Sequence, residues 1–272
     1  MSDPQPTRNT FVGDTWVIAR RGLLHMRRQP EMLADATIQP IMFVLLFAFV
    51  FGGAIHVPGG GSYRSFLMGG IFAQTIAFGS FGVAIALAHD RTNGAIDRFH
   101  ALPIRRSSVL AGHAVANLLK ALVPITLMSL AGLAVGWRIQ GGVLDAIAAY
   151  GVMIVFSFAV IWVGVLLGSV VATPEGVQGI AFVAIFPITF VASTFVPVTT
   201  LPTGLRQFAE WNPVTALAGA LRNLFANPGG VTPAHGSWSL MHPVLYTLLW
   251  GAGIVALCAP LAISRYQASI AS

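Results

Sequence analysis

The run VLDAIAAYGVMIVFSFAVIWVGVLLGSVV, Val143 to Val171, decides the fold. It carries one charged side chain, Asp145, close to its start. About 20 apolar residues in a helix cross a hydrocarbon core of roughly 30 Å, so this run is long enough to span a bilayer. It is continuously apolar rather than alternating, which excludes the strand of a membrane barrel. Similar runs lie on both sides: Ala36 to Ile55, Phe66 to Ala88, Val109 to Val135, Val177 to Val198 and Met241 to Ile263. Together they predict about six spans. The composition agrees. Of 272 residues, 56% are hydrophobic and 9% charged, against about 25% charged in soluble domains. The chain is therefore read as an all-α integral membrane protein. Residues 1–35 form a cytoplasmic N-terminal segment and residues 36–272 a single six-helix domain. A polar loop covers 89–108, and a Pro- and Gly-rich segment covers 199–240.

Charge sets the expected orientation. With the N-terminus in the cytoplasm, the inside receives ten arginines: Arg8, Arg20, Arg21, Arg27, Arg28, Arg91, Arg98, Arg105, Arg106 and Arg265. The outside receives four: Arg64, Arg138, Arg206 and Arg222. Lysine and arginine favour cytoplasmic loops, so both termini are expected inside a cell membrane. The net charge of +6 is thereby explained without nucleic acid. Before the first span, Val12, Trp16, Ala19, Leu23 and Met26 share one helical face. Arg21, His25 and Arg28 lie opposite, and Arg20 and Arg27 flank the apolar stripe. This pattern fits an amphipathic helix lying on the inner leaflet among lipid headgroups. Between the fifth and sixth spans, Pro197, Pro202 and Pro213 forbid one continuous helix. Short half-inserted, re-entrant outer helices are expected there.

Most enzyme chemistry is missing. Lys120, the only lysine, follows Leu119, so the Gly-Lys-Ser/Thr of a phosphate-binding loop is absent. No His-Glu-x-x-His and no Gly-x-Ser-x-Gly occurs. Ser157, Ser169 and Ser193 fall in spans without a central histidine to activate them. A single cysteine, Cys258, excludes a disulfide framework. Lys120 reads either as a functional charge within the third span or as a snorkelling residue near its inner end. Gly132-x-x-x-Gly136 and Gly164-x-x-x-Gly168 allow close helix packing. Phe182, Phe186 and Phe190 recur every fourth residue beside Pro187. They form either a packing face or a greasy wall, a candidate path for a hydrophobic substrate.

The densest polar stretch is HDRTNGAIDRFHALPIRRSS, His89 to Ser108. Its pattern Asp90-Arg91-x-x-Gly94-x-Ile96-Asp97-Arg98-Phe99-x-x-Leu102-Pro103 resembles the loop after the second span in permeases of type-2 ABC exporters, with Asp90 standing where that family usually has Glu. A second stretch is also similar to the family: Phe195-x-Pro197-x-x-x-Leu201-Pro202-x-x-Leu205, then Asn212-Pro213-Val214-Thr215 and Arg222. Within that family the chain resembles daunorubicin-resistance-type multidrug permeases. The resemblance implies a half-transporter that binds no cofactor and is not itself an enzyme. A second permease copy, identical or similar, would complete the pore, and a separate ABC ATPase would bind ATP and Mg. The coupling contact would involve Asp90, Arg91, Gly94, Asp97, Arg98, Phe99, Leu102 and Pro103, assisted by the interfacial helix with Trp16, Arg20, Arg21 and Leu23. The expected substrate is hydrophobic or amphipathic, a drug-like compound or a lipid. A secondary, ion-coupled transporter is the alternative.

Overall fold

The computed structural model describes residue 20 and residues 30–52, 55, 57, 62–92, 106–171, 173–227 and 237–271. At 30–37, 106–114 and 266–271 the description is of the backbone alone. Among these residues the elements are helical. In chain order they are α1 (Pro30–Leu46), running into a π-helical turn at Phe47–Phe51, then α2 (Tyr63–Thr92), α3 (Arg106–Ala134), α4 (Val143–Val170) and α5 (Pro174–Val191). A 3₁₀ turn at Val198–Thr200 precedes α6 (Thr203–Glu210), α7 (Pro213–Leu224), α8 (Trp238–Met241) and α9 (Pro243–Ala271).

Five described helices (α2, α3, α4, α5 and α9) have the length and apolarity to cross a membrane. The apolar part of the first helix, Ile38–Phe51, is shorter. The expected fifth span ends early: α5 stops at Val191 rather than near Val198. Ala192 is extended, at φ −65° and ψ 161°, and the next residues turn back toward the bundle. Pro197 has no N–H to continue a helix.

α2 and α4 form the centre. Within their apolar windows 61% of residues are buried, against 17% in α5 and α9. The outer helices therefore present most of their apolar surface to lipid or to another subunit. The α2–α4 contact depends on absent side chains. A Cβ at Gly164 would collide with the Ser80 carbonyl oxygen, and one at Gly168 would lie 2.6 Å from the Ala84 oxygen. The Gly164–Gly168 pair thus packs helices within one subunit. Gly132 also packs, against Met68, whereas Gly136 has φ +93°. In that left-handed conformation Gly136 ends α3 rather than packing it.

The core is aromatic at the end where α2 begins, called here the far end. Phe72, Trp137 and Phe225 meet with ring centroids 5.1 to 6.2 Å apart. The backbone N–H groups of Gln140 and Gly141 both donate to the Phe225 carbonyl, fixing the α3–α4 connection to the end of α7.

Candidate functional site

Three features coincide with the residues singled out by sequence. The first lies at the end of the bundle opposite the far end, where α2 leads into residues 93–105. Arg91 Nη1 donates to the Ser169 carbonyl at 2.7 Å and, at 3.5 Å, to that of Gly168. These are among the last carbonyls of α4, which have no partner inside their own helix. A cation there also complements the negative end of the helix dipole. Asp90 lies within electrostatic reach of Lys120 on α3. Lys120 itself is half-buried. Of the remaining coupling residues, Gly94, Asp97, Arg98, Phe99, Leu102 and Pro103 lie outside the described residues. So do Trp16, Arg21 and Leu23 of the expected interfacial helix; Arg20 is helical and exposed.

The second feature is the phenylalanine stripe on α5. Fourth-residue spacing stacks side chains on one helix face. Accordingly, Phe182 and Phe186 stack at 5.2 Å, and Phe186 and Phe190 at 4.0 Å. The stripe is longer than its sequence period, because the turn after α5 returns a further ring to it. Phe190 meets Phe195 at 5.4 Å, Phe195 stacks on Phe47 at 4.3 Å, and Phe47 stacks on Phe51 at 5.0 Å. Phe43 packs edge-on against Phe195. The result is a continuous ladder from α5 into the first helix. Phe182 is 56% exposed, Phe195 5% and Phe51 38%, so the ladder is exposed along α5 and at its last ring and buried at Phe195. Pro187 lies within α5, which continues past it to Val191.

The third feature is a polar clasp that closes the turn at 192–195. Asn212 caps α7: its Oδ1 accepts from the Val214 N–H at 2.8 Å, and Pro213 occupies the first helical position. Both choices suit a helix start. The same side chain donates through Nδ2 to the Ile188 carbonyl at 2.7 Å, one of the carbonyls left over at the end of α5. Thr215 Oγ1 accepts from the Ser193 N–H. Tyr63 Oη donates to the Phe195 carbonyl at 2.9 Å. Arg222 completes the clasp. Its Nη2 donates to the Ser193 carbonyl at 2.6 Å, Nη1 to Ser193 Oγ at 3.1 Å, and Nε to the Phe66 carbonyl at 2.8 Å. The guanidinium lies 3.6 Å from the centre of the Phe66 ring.

Arg222, counted among the outside arginines, is only 2% exposed. It lies on α7, which is not among the spanning helices. Its described partners are carbonyl and hydroxyl oxygens and a ring, with no carboxylate among them. Burial draws its pKa down to about 9, and it stays protonated at neutral pH. Sequence reasoning missed what the Asn-Pro-Val-Thr and Arg222 pattern binds, because the turn at Ser193 gives no signal of its own. An arginine within a mostly apolar helix was the available clue. Ser193 serves as acceptor for this arginine.

No three of His, Cys, Asp and Glu come together as a metal site among the described residues. The arrangement offers an apolar track, a polar closure at one end and a charged attachment at the other.

Comparison with known proteins shows the family. Residues 13–226 match the family described as ABC-2 type transporter. The chain is 30% identical over 263 residues to the daunorubicin resistance ABC transporter permease protein DrrB1 of Streptomyces coeruleorubidus, covering 97% of this chain and 89% of that one. It is 27% identical over 266 residues to the probable doxorubicin resistance ABC transporter permease protein DrrC of Mycobacterium tuberculosis, covering 97% and 92%. A putative transport permease of Cyanophora paradoxa, ycf38, is 22% identical over 231 residues. On its residues, its helices and this match over most of its length, the chain is a membrane permease subunit belonging to the ABC-2 type transporter family.

Proposed function

We propose that the chain is half of the membrane pore of an ATP-driven exporter for hydrophobic or amphipathic, drug-like compounds or lipids. The observation that carries this reading is the phenylalanine ladder: six rings in sequence from Phe182 to Phe51, exposed along α5 and buried where the clasp holds Phe195. Aromatic faces hold a hydrophobic solute by area and stacking without demanding one hydrogen-bond pattern, which suits a range of substrates. A second permease copy, identical or similar, would cover the exposed sides of α1 and α5 and enclose the track.

The motor is a separate ABC ATPase that binds ATP and Mg on its own residues. It docks on the loop 89–108, with Asp97, Arg98 and Phe99 at the centre and the interfacial helix alongside. Both termini and this loop face the cytoplasm of the cell membrane, and the helices between α5 and α9 lie re-entrant at the outer side. Binding of the ATPase in two arrangements would favour two arrangements of the spans by the difference in contact energy. Arg91 carries the displacement into α4, because its hydrogen bonds join the start of the loop to that helix.

The test is to purify the chain with its candidate ATPase, measure co-purification and follow extrusion of a fluorescent anthracycline from vesicles. The Arg98→Ala/Phe99→Ala variant is expected to insert normally and lose ATP-dependent transport. Full transport by that variant overturns the coupling assignment. Extrusion by the chain alone, driven by a proton gradient, overturns the ATP-driven reading in favour of a secondary transporter.

A further inference from the structure

A hydroxyl on a spanning helix has a ready partner in its own backbone. Ser80, Thr126, Ser129, Ser169, Thr189 and Thr247 each donate to a carbonyl three or four residues back. Ser157 does not. It lies halfway along α4 and is 3% exposed, and its Oγ has no hydrogen-bond partner among the described residues. Gln74, in the middle third of α2, is 5% exposed, and its Nε2 has none either.

The glycine contacts set the register between these two helices. Gly164 meets Ser80, and Gly168, four residues on, meets Ala84, so α2 and α4 run in the same direction. Seven residues make about two helical turns and return to nearly the same face. Carried back by seven, the register sets Ser157 opposite Ala73, facing α2 as Gly164 does, and Gln74 follows Ala73 directly. An amide and a hydroxyl without partners thus fall at one level of the α2–α4 contact. Thr75 Oγ1 and Trp162 Nε1 are also buried without a partner, but each residue lies two positions from a contact residue, about 200° round its helix.

We propose that a water molecule is bound between α2 and α4 at mid-depth of the bundle, bridging Gln74 Nε2 and Ser157 Oγ. A buried polar group without a partner carries its full desolvation cost, and hydrocarbon outside the bundle supplies nothing to relieve it. Folded proteins meet such groups with internal water, on the order of one molecule per 27 residues. The chemistry of the pair also selects water. The amide N–H only donates, whereas a hydroxyl both donates and accepts. A water oxygen accepts from Gln74, and one of its protons is donated to Ser157 Oγ. The donor on Gln74 turns away a cation. Beyond the dry glycine contacts, the α2–α4 interface is then a wet one, joined by bonds that exchange without leaving either group bare. The inference rests on the membrane fold alone and not on the export reading.

The experiment uses the full chain in phospholipid nanodiscs. A short X-ray pulse converts water to hydroxyl radicals, which oxidise the side chains beside it. Met153 lies one turn before Ser157 on the same face of α4. It is fully buried, as is Met68, which packs against Gly132. Met153 is expected to be oxidised several-fold faster than Met68, and the Gln74→Leu/Ser157→Ala variant is expected to lose that excess. Equal rates for the two methionines in the unaltered chain overturn the proposal. Thermal unfolding gives an independent reading. Gln74→Leu and Ser157→Ala are each expected to lower the melting temperature by about 2–4 °C. The double variant is expected to fall no further than the weaker single variant, because the first substitution already releases the water. An unchanged or raised melting temperature in either single variant means that a bare polar group was removed, and fully additive losses mean two separate sites; either result overturns the shared water.

Discussion

Replacing Arg222 by Met tests the clasp most directly. Methionine keeps much of the length and the apolar stem but removes every donor. The Ser193 carbonyl, which receives Nη2 at 2.6 Å, stays buried and loses that bond. An unsatisfied buried acceptor costs about 1–3 kcal/mol. The contact with the Phe66 ring at 3.6 Å is fully desolvated and contributes roughly 2 kcal/mol more. Against this stands the relief of no longer burying a charge, which can offset several kcal/mol when all partners are replaced together. Two of its partners are backbone carbonyls that no substitution removes, so the relief is partial. A net loss of about 2–4 kcal/mol follows from these terms. For a chain of this size each kcal/mol moves the melting temperature by about 2–4 °C, so the expected fall is on the order of 5–15 °C. The assay is thermal unfolding of the purified full chain in detergent, with Arg206→Met as control. Arg206 belongs to a partly exposed i, i+4 pair, and such a pair contributes below about 1 kcal/mol. If Arg222→Met melts within a degree or so of the control, the clasp does not hold the turn and the reasoning fails.

Two further substitutions address the other features. Gly164→Leu puts a branched side chain where a single Cβ already meets the Ser80 carbonyl. Overpacking of about 1–3 kcal/mol or more is expected, read as a lowered melting temperature, while Gly179→Leu, at a glycine with open space around its missing Cβ, leaves stability nearly unchanged. Phe186→Ala removes the two stacks at 5.2 and 4.0 Å, worth about 0.5–1.5 kcal/mol each. Transport of a hydrophobic dye in vesicles is expected to fall several-fold while the protein still folds; normal transport in that variant removes the ladder from the substrate path.

The spans were legible because a bilayer imposes one demand on every segment that crosses it, namely a long apolar helix with its backbone bonded internally. Val143 to Val171 meets that demand so plainly that α4 ends within a residue of its expected limit. The end of α5 was less legible. Residues 192–198 are as apolar as a span, and what stops the helix is bonding from Tyr63, Asn212, Thr215 and Arg222, the first of them more than a hundred positions away. Apolar periodicity does not report such partners. The ladder was half visible for the same reason. Phe182, Phe186 and Phe190 follow the helical period, whereas Phe195 and Phe47 join them only after the turn has folded back.

The clasp and the Arg91 attachment act on the same helix. Toward its C-terminal end α2 is held to α4 by Arg91 and by the close approaches at Gly164 and Gly168. At its far end it is held to the turn after α5 by the Arg222 bond to Phe66, by the Tyr63 bond to Phe195 and by contact between Gly70 and Thr194 so close that a Cβ would not fit. Close-packed contacts of this kind do not slide continuously; they hold or change as units. A tilt of α2 therefore loads the turn that carries Phe195, the ring at which the ladder passes from α5 to the first helix. That load is shared by the two bonds from Arg222 to Ser193, the bond from the Ser193 N–H to Thr215 and the turn's own bond from the Thr194 N–H to the Ala192 carbonyl at 2.7 Å. This gives the unusual burial of an arginine without a carboxylate a physical role. Its bonds to a carbonyl and a hydroxyl can be broken and remade during a cycle without stranding a buried negative charge, which is the heavy penalty that parting an ion pair would carry.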